Sequence, residues 1–141
     1  VKKGSEKAYN YLSKIRLLDH EILRAEAVRS ELESCLLPQG INYEKDKVQK
    51  SRSDQMSKVY ADIEEKKAEE ISLREKKHKL LKDISDTIER LEDDQEKTVL
   101  TMYWLGNVRI YDIAAKMNYS ISKIYAAMQK GMKDLETYIK D

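Results

Sequence analysis

The sequence predicts an all-α protein: a long N-terminal antiparallel helical hairpin followed by a C-terminal domain of three short helices. Three observations carry this. Apolar residues recur at spacings of three and four over two long stretches, the period of coiled-coil-like helices. The 141 residues hold one Pro and four Gly, both types scarce inside helices. Near the C-terminus, "DIAAKMNYSISKIYAAM" reads as two helical patterns broken at Asn118 and Tyr119.

Charged residues make up 38% of the chain and Phe is absent, a composition suited to narrow apolar seams between solvated helices. The formal net charge is +1, so whole-chain charge announces no polyanionic partner. Its distribution is uneven. Residues 56–94 carry 9 basic against 12 acidic side chains, and residues 95–141 carry 7 against 5. Cys35 is the one cysteine, which excludes an internal disulfide and fits a reducing cytoplasm. His20 and His78 have no spaced Cys or His partner, so no metal site is expected. No apolar run reaches the length of a membrane span.

Residues 5–37 are expected to form the first helix, capped by Ser5 with Glu6 in its first turn. Its stripe runs Tyr11, Ile15, Leu18, Ile22, Ala25, Leu32 and Leu36, with Arg29 at one seam position and Leu12, Leu23 and Val28 widening it. Such a helix is roughly 50 Å long at 1.5 Å per residue. Pro38 and Gly40 end it. Cys35 is expected as buried apolar filler.

Residues 38–55 are polar and nearly without period, and are read as a long loop with a short ordered piece near Val48: a solvated linker in preference to a phosphate contact through Lys45, Lys47, Lys50 and Arg52. A second helix is expected over 56–93, capped by Ser53 or Asp54. Met56, Val59, Tyr60 and Ile63 begin its stripe, and Leu80, Leu81, Ile84, Ile88 and Leu91 end it. The charged middle keeps only Ala68, Ile71 and Leu73. Residues 1–94 thus make the hairpin. Two helices bury little area per residue, so further packing is expected from a second copy or from the C-terminal helices.

Residues 95–141 make the second domain. Val99, Leu100 and Tyr103 are expected inward on its first helix, and at least one of Tyr103 and Trp104 in the core. Gly106 is expected to take a left-handed cap conformation. Ile110, Ile113, Ala114 and Met117 face inward on the next helix, and Asn118 suits a left-handed turn. Ser120 caps the last helix, whose inner stripe is Ile124, Met128 or Ala127, Met132, Leu135 and Ile139. Tyr119 is read as packing. The chain holds no Gly-rich phosphate loop, no metal-ligand spacing and no nucleophile–base set, so no enzyme, catalytic residue or cofactor is expected. Paired carboxylates such as Glu64 and Glu65 read as solvated charge.

The stretch "MYWLGNVRIYDIAAKMNYSISKIYAAMQKGMKDL" resembles the helix-turn-helix of region 4 in bacterial primary-type sigma factors. Tyr103, Gly106, Asp112, Ile113, Ala114, Met117, Ser120, Ile124, Met132 and Leu135 carry the pattern. "YLSKIRLLDHEI", "DKVQKSRSDQMSKVYADIEE" and "MNYSISKIY" are similar, in order and spacing, to small phage and prophage proteins of Gram-positive bacteria. These resemble the ArpU and RinA type of late-gene transcription activator.

The resemblance implies a cytoplasmic DNA-binding regulator that recruits or positions host RNA polymerase; the long seams of the N-terminal helices predict that it self-associates as a homodimer through them. In sigma region 4 the first turns of the last helix face the major groove. This implies Ile121, Ser122, Lys123, Tyr125, Ala126 and Gln129 as base-edge residues, and Ser120, Lys123, Arg109 and Lys116 at phosphates. Ile121, Tyr125 and Ala126 depart from the arginine or glutamine usual there, and Gly131 stands where a small Ala is usual. Apolar contact can still read a thymine methyl, and Ser or Gln a base edge. Two other readings stand beside this one: a polymerase-binding adaptor with little DNA specificity, and a structural coiled-coil protein.

Overall fold

The computed structural model describes residues 5–36 and 45–139, with backbone alone over 45–53. The described residues are all-α. The helices are α1 (Glu6–Ser34), α2 (Lys45–Glu89), α3 (Asp94–Leu100), α4 (Ile110–Met117) and α5 (Ile121–Leu135). A π-helical turn, Thr101–Leu105, continues α3, and a 3-10 turn, Glu136–Tyr138, follows α5. No helix among the described residues is long and apolar enough to cross a membrane.

The expected loop over 38–55 is corrected from Lys45 onward, where the chain is already helical; residues 38–44 lie outside the described ones. The absence of an apolar stripe suggested a loop. Yet "KDKVQKSRSDQ" holds no Gly or Pro and is rich in Lys, Gln and Arg, which favour a helix by intrinsic propensity. The expected cap at Ser53 or Asp54 falls away with the loop. Cys35 is also corrected: it is exposed, in the turn just after α1.

The chain packs as two compact units, one of residues 19–76 and one joining residues 1–18 to 77–141. This division cuts across the expected boundary at 94. The physical reason is the one that makes a lone hairpin marginal: a pair of helices leaves much of its stripe open.

In the unit of residues 19–76, Ile22, Ala25, Ile63 and Leu73 are buried. Arg29 interrupts this apolar seam and is bonded there by the buried Glu70, and also by Glu33 at 2.8 Å. Arg74 meets Glu26 at 2.9 Å. The pairings 29 with 70 and 26 with 74 run the two segments antiparallel. Leu23 and Val28, expected to widen the first stripe, and Ile71, kept in the charged middle of the second, stay in solvent.

The other unit holds one continuous core. Ala8, Leu12 and Ile15 of α1 and Ile84, Ile88 and Leu91 near the end of α2 join Val99, Leu100, Trp104, Ile113, Ile124, Met128, Met132 and Leu135. On α1 the buried line is Ala8, Leu12 and Ile15; Tyr11 sits at its margin. Burial pushes the Tyr11 phenol up to about 12, and its hydroxyl donates to Asp83 at 2.7 Å and pairs with Thr87 at 2.9 Å. The first-turn amide of Ala8, which has no partner within its own helix, donates to the Glu136 carboxylate at 3.1 Å.

Trp104, not Tyr103, is the fully buried aromatic. Tyr9 and Tyr103 meet it edge to face at ring separations of 5.6 and 5.3 Å. Gly106 does not take the left-handed conformation expected of it: its φ is −89°, and Asn107 turns left-handed instead at φ 54°. The π turn shifts the cap by one residue. Gly106 N–H bonds Thr101 and Val108 N–H bonds Met102, both at 2.9 Å. Glycine is still needed, since a Cβ at 106 would lie 2.9 Å from the Met102 carbonyl oxygen.

Candidate nucleic-acid interface

The turn between α4 and α5 follows from three residues. Asn118 closes α4 in the left-handed region, φ 61° and ψ 43°, where a short polar side chain is tolerated. Tyr119 N–H returns to Ala114 at 3.0 Å and Asn118 N–H to Ala115 at 3.3 Å, which is the bond pair of a Schellman closure. Ser120, extended at φ −72° and ψ 157°, then caps α5 by accepting from Lys123 N–H at 3.2 Å. Behind the turn, Ile113 and Ala114 of α4 and Ile124 and Met128 of α5 are buried, so the angle between the helices is held by the core.

The residues implied as a site divide as follows. Ser122, Lys123, Tyr125, Ala126 and Gln129 are exposed on α5, as is Ser120 at its cap. Ile121 is half-buried and packs against the core, which restricts what it offers a ligand. Arg109 and Lys116 are exposed at opposite ends of α4. Arg109 leans on Asp112 at 3.3 Å with its side chain 83% exposed, so it stays free to exchange partners. Lys123 lies over the Tyr119 ring, 3.8 Å from its centre. Tyr119 itself packs against the core.

Sequence reasoning passed over three features of this region. Arg16 of α1 stacks its guanidinium over Trp104 and Tyr103, at 4.4 and 4.6 Å from the ring centres, and donates to the Tyr103 carbonyl at 3.4 Å. Nothing in the α1 pattern signals this, because its partners lie 87 and 88 residues away. Lys133 shares one line of α5 with Ser122, Ala126 and Gln129 at spacings of four, three and four, which helix arithmetic alone extends. Glu96 is 2% exposed beneath α5. Burial, then the neighbouring Asp134 carboxyl, then Asp93 push its carboxyl up to about 7, while Lys130, 3.8 Å away, pulls it down.

The fold and this region together define an all-α chain ending in two helices joined by a tight capped turn, with a polar, solvent-facing side on the second. The chain belongs to the family described as "Protein of unknown function (DUF1492)", whose model matches residues 38–136. Comparison with curated proteins and with solved structures finds no match.

Proposed function

We propose that the chain is a DNA-binding transcription regulator of phage or prophage type, acting through α4, the turn and α5 without chemistry of its own. The observation that carries this is the exposed line on α5. Ser122, Ala126 and Gln129, flanked by Lys123 and Tyr125, follow a Schellman turn and a serine cap. That is the arrangement by which a helix-turn-helix presents its second helix to a major groove. Ser122 and Gln129 supply hydrogen bonds to base edges, and Ala126 supplies an apolar contact. Arg109, Lys116 and Lys123 supply cations for phosphates.

Self-association belongs to the same proposal. Leu23, Tyr60 and Ile71, exposed by 61, 55 and 60%, leave apolar surface on the unit of residues 19–76 for a second copy. A monomer in sedimentation at micromolar concentration would remove this part.

The test is selection from a random duplex library with the full chain, repeated with Lys123→Glu. A motif enriched by the wild type and lost in the variant is the expected result. No enrichment by a folded, helical wild type would overturn the reading and favour direct binding to RNA polymerase, to be measured next.

A further inference from the structure

Beside the implied base-reading residues lies a groove of about 660 Å³ between the N-terminal half of α1 and the outer side of α5. Tyr9, Trp104 and Tyr125 are among its walls, Arg16 and Lys133 are charged members, and Lys130 lies at its edge, also meeting Glu96 at 3.8 Å; none of the described lining residues is a carboxylate. In a chain that is 38% charged and nearly neutral overall, a lining whose described residues hold Arg16 and Lys133 and no acid is a marked segregation. The neighbouring cleft at Glu92, Asp93, Glu96 and Asp134 carries the reverse and shares Lys130 with the groove as its one cation among the described residues.

We infer that this groove receives the phosphodiester backbone of a DNA strand, extending the interface of the proposed function from the first turns of α5 to Lys130, Lys133 and Arg16 of α1. The inference rests on that proposed function. Its independent support is charge complementarity and continuity. Tyr125, Ala126 and Gln129 belong both to the implied reading face and to the groove wall, and Lys133 continues their line. A duplex seated on that face would bring its backbone to Lys133 and Arg16, with Lys130 shared between the strand and Glu96. Tyr9 and Tyr125, 43 and 53% exposed, offer flat apolar surface for the sugars between phosphates. Arg16 holds its guanidinium carbon 4.4 Å from the Trp104 ring centre and 4.6 Å from that of Tyr103, contacts that restrict the side chain while leaving further N–H donors for phosphate oxygens. An acidic peptide satisfies the same cations but competes with the duplex for Tyr125 and Gln129, so DNA is the occupant the positions favour.

The experiment is fluorescence anisotropy of a labelled random-sequence duplex with the full chain across a potassium chloride series. Wild type is compared with Lys133→Gln, Lys130→Gln and Arg16→Lys. Arg16→Lys keeps the charge while losing the planar guanidinium beside Trp104 and Tyr103, and circular dichroism checks that each variant is folded. Each lost phosphate contact lowers the slope of log K against log salt by about 0.9. The expected result is a shallower slope for Lys133→Gln and Lys130→Gln, with the library-selected motif unchanged. Wild-type slopes in both, in a protein that binds duplex, would overturn the groove and leave the proposed function standing. An acidic peptide, poly-glutamate, that binds the groove without displacing duplex would overturn it as well. No duplex binding by the wild type would remove both.

Discussion

The Lys123 ammonium lies 3.8 Å from the centre of the Tyr119 ring, and the Tyr119 hydroxyl accepts a hydrogen bond from Gln95 of α3 at 2.9 Å. Three elements thus converge on one cation at the start of α5: the ring from the turn, the amide from α3 and the backbone of Lys123 held by Ser120. A lysine on a flexible stem ordinarily loses much rotamer freedom when it meets a phosphate. Here part of that freedom is gone before any ligand arrives.

Tyr119→Leu removes the ring and the hydroxyl together. A cation–π contact at an exposed site contributes about 0.5–1 kcal/mol, so duplex affinity is expected to fall on the order of two- to fivefold. Tyr119→Phe keeps the ring, loses only the Gln95 bond and should stay close to wild type. Anisotropy at fixed salt reads both. Equal affinity for the leucine variant would mean that the ring does not orient the lysine.

Asn118 is tested by its left-handed backbone. Asn118→Gly should leave stability nearly unchanged. Asn118→Val places a β-branched side chain at φ 61° and is expected to cost about 1–2 kcal/mol in urea unfolding. A valine variant as stable as wild type would show that the turn relaxes out of the Schellman geometry.

The caps and the inner faces of the C-terminal helices were legible in the sequence because they depend on neighbours a few residues away. Asn118 and Ser120 sit where their chemistry places them, and Ile113, Ile124, Met132 and Leu135 are buried at helical spacing. Features set by distant packing were not legible. The start of α2 carried no apolar signal, so its polar first turns read as loop. Gly106 and Asn107 exchanged roles because a π turn, invisible to spacing rules, displaced the cap by one residue. The proposed reading face rests on likeness to a sigma-like pattern. The groove beside it could not, since Arg16 reaches Trp104 only through the fold.

Gly131 shows the same division. By sequence it only weakens α5, by about 1 kcal/mol relative to Ala. In the structure its missing side chain lets α5 approach α3: a Cβ would lie 3.2 Å from both Glu96 Cβ and Leu100 Cδ1. In Gly131→Ala, helix propensity and crowding oppose each other, and the net change should stay within about 1 kcal/mol. Gly131→Leu has no such offset and should cost on the order of 3 kcal/mol. Thermal unfolding followed by circular dichroism separates them. A leucine variant as stable as the alanine one would mean that α3 and α5 part without penalty.

The seam charge in the unit of residues 19–76 leads to an asymmetric prediction. Arg29→Ala strands the buried Glu70 carboxylate without its main partner and should cost about 1–3 kcal/mol. Replacing both, Arg29→Leu with Glu70→Leu, removes the stranded charge and should recover most of that loss. What the double variant should lose is fixed register, since an apolar seam tolerates slippage that a single ion pair forbids. Hydrogen exchange across residues 54–76 reads this. Protection equal to wild type in the double variant would assign the pair no role in register.

Glu96 makes stability depend on pH with a definite sign. Its folded-state carboxyl sits at about 7 against an ordinary 4.5, so the folded protein holds the proton more tightly than the unfolded chain. The protonated side chain's contribution is fully present below about 4.5 and is lost as pH rises through about 7. The size of the effect is about 3 kcal/mol at most, from 1.36 kcal/mol per unit. Because Glu96 lies against the α5 backbone at Gly131, the destabilisation falls on the junction that carries the proposed reading helix. Urea unfolding from pH 5 to pH 8 should show stability declining for the wild type. Glu96→Gln, neutral throughout, should lack that decline and match the wild type at the acid end. A wild-type curve that rises over the same interval would require Glu96 to be ionised in the fold, with Lys130 outweighing burial and Asp134.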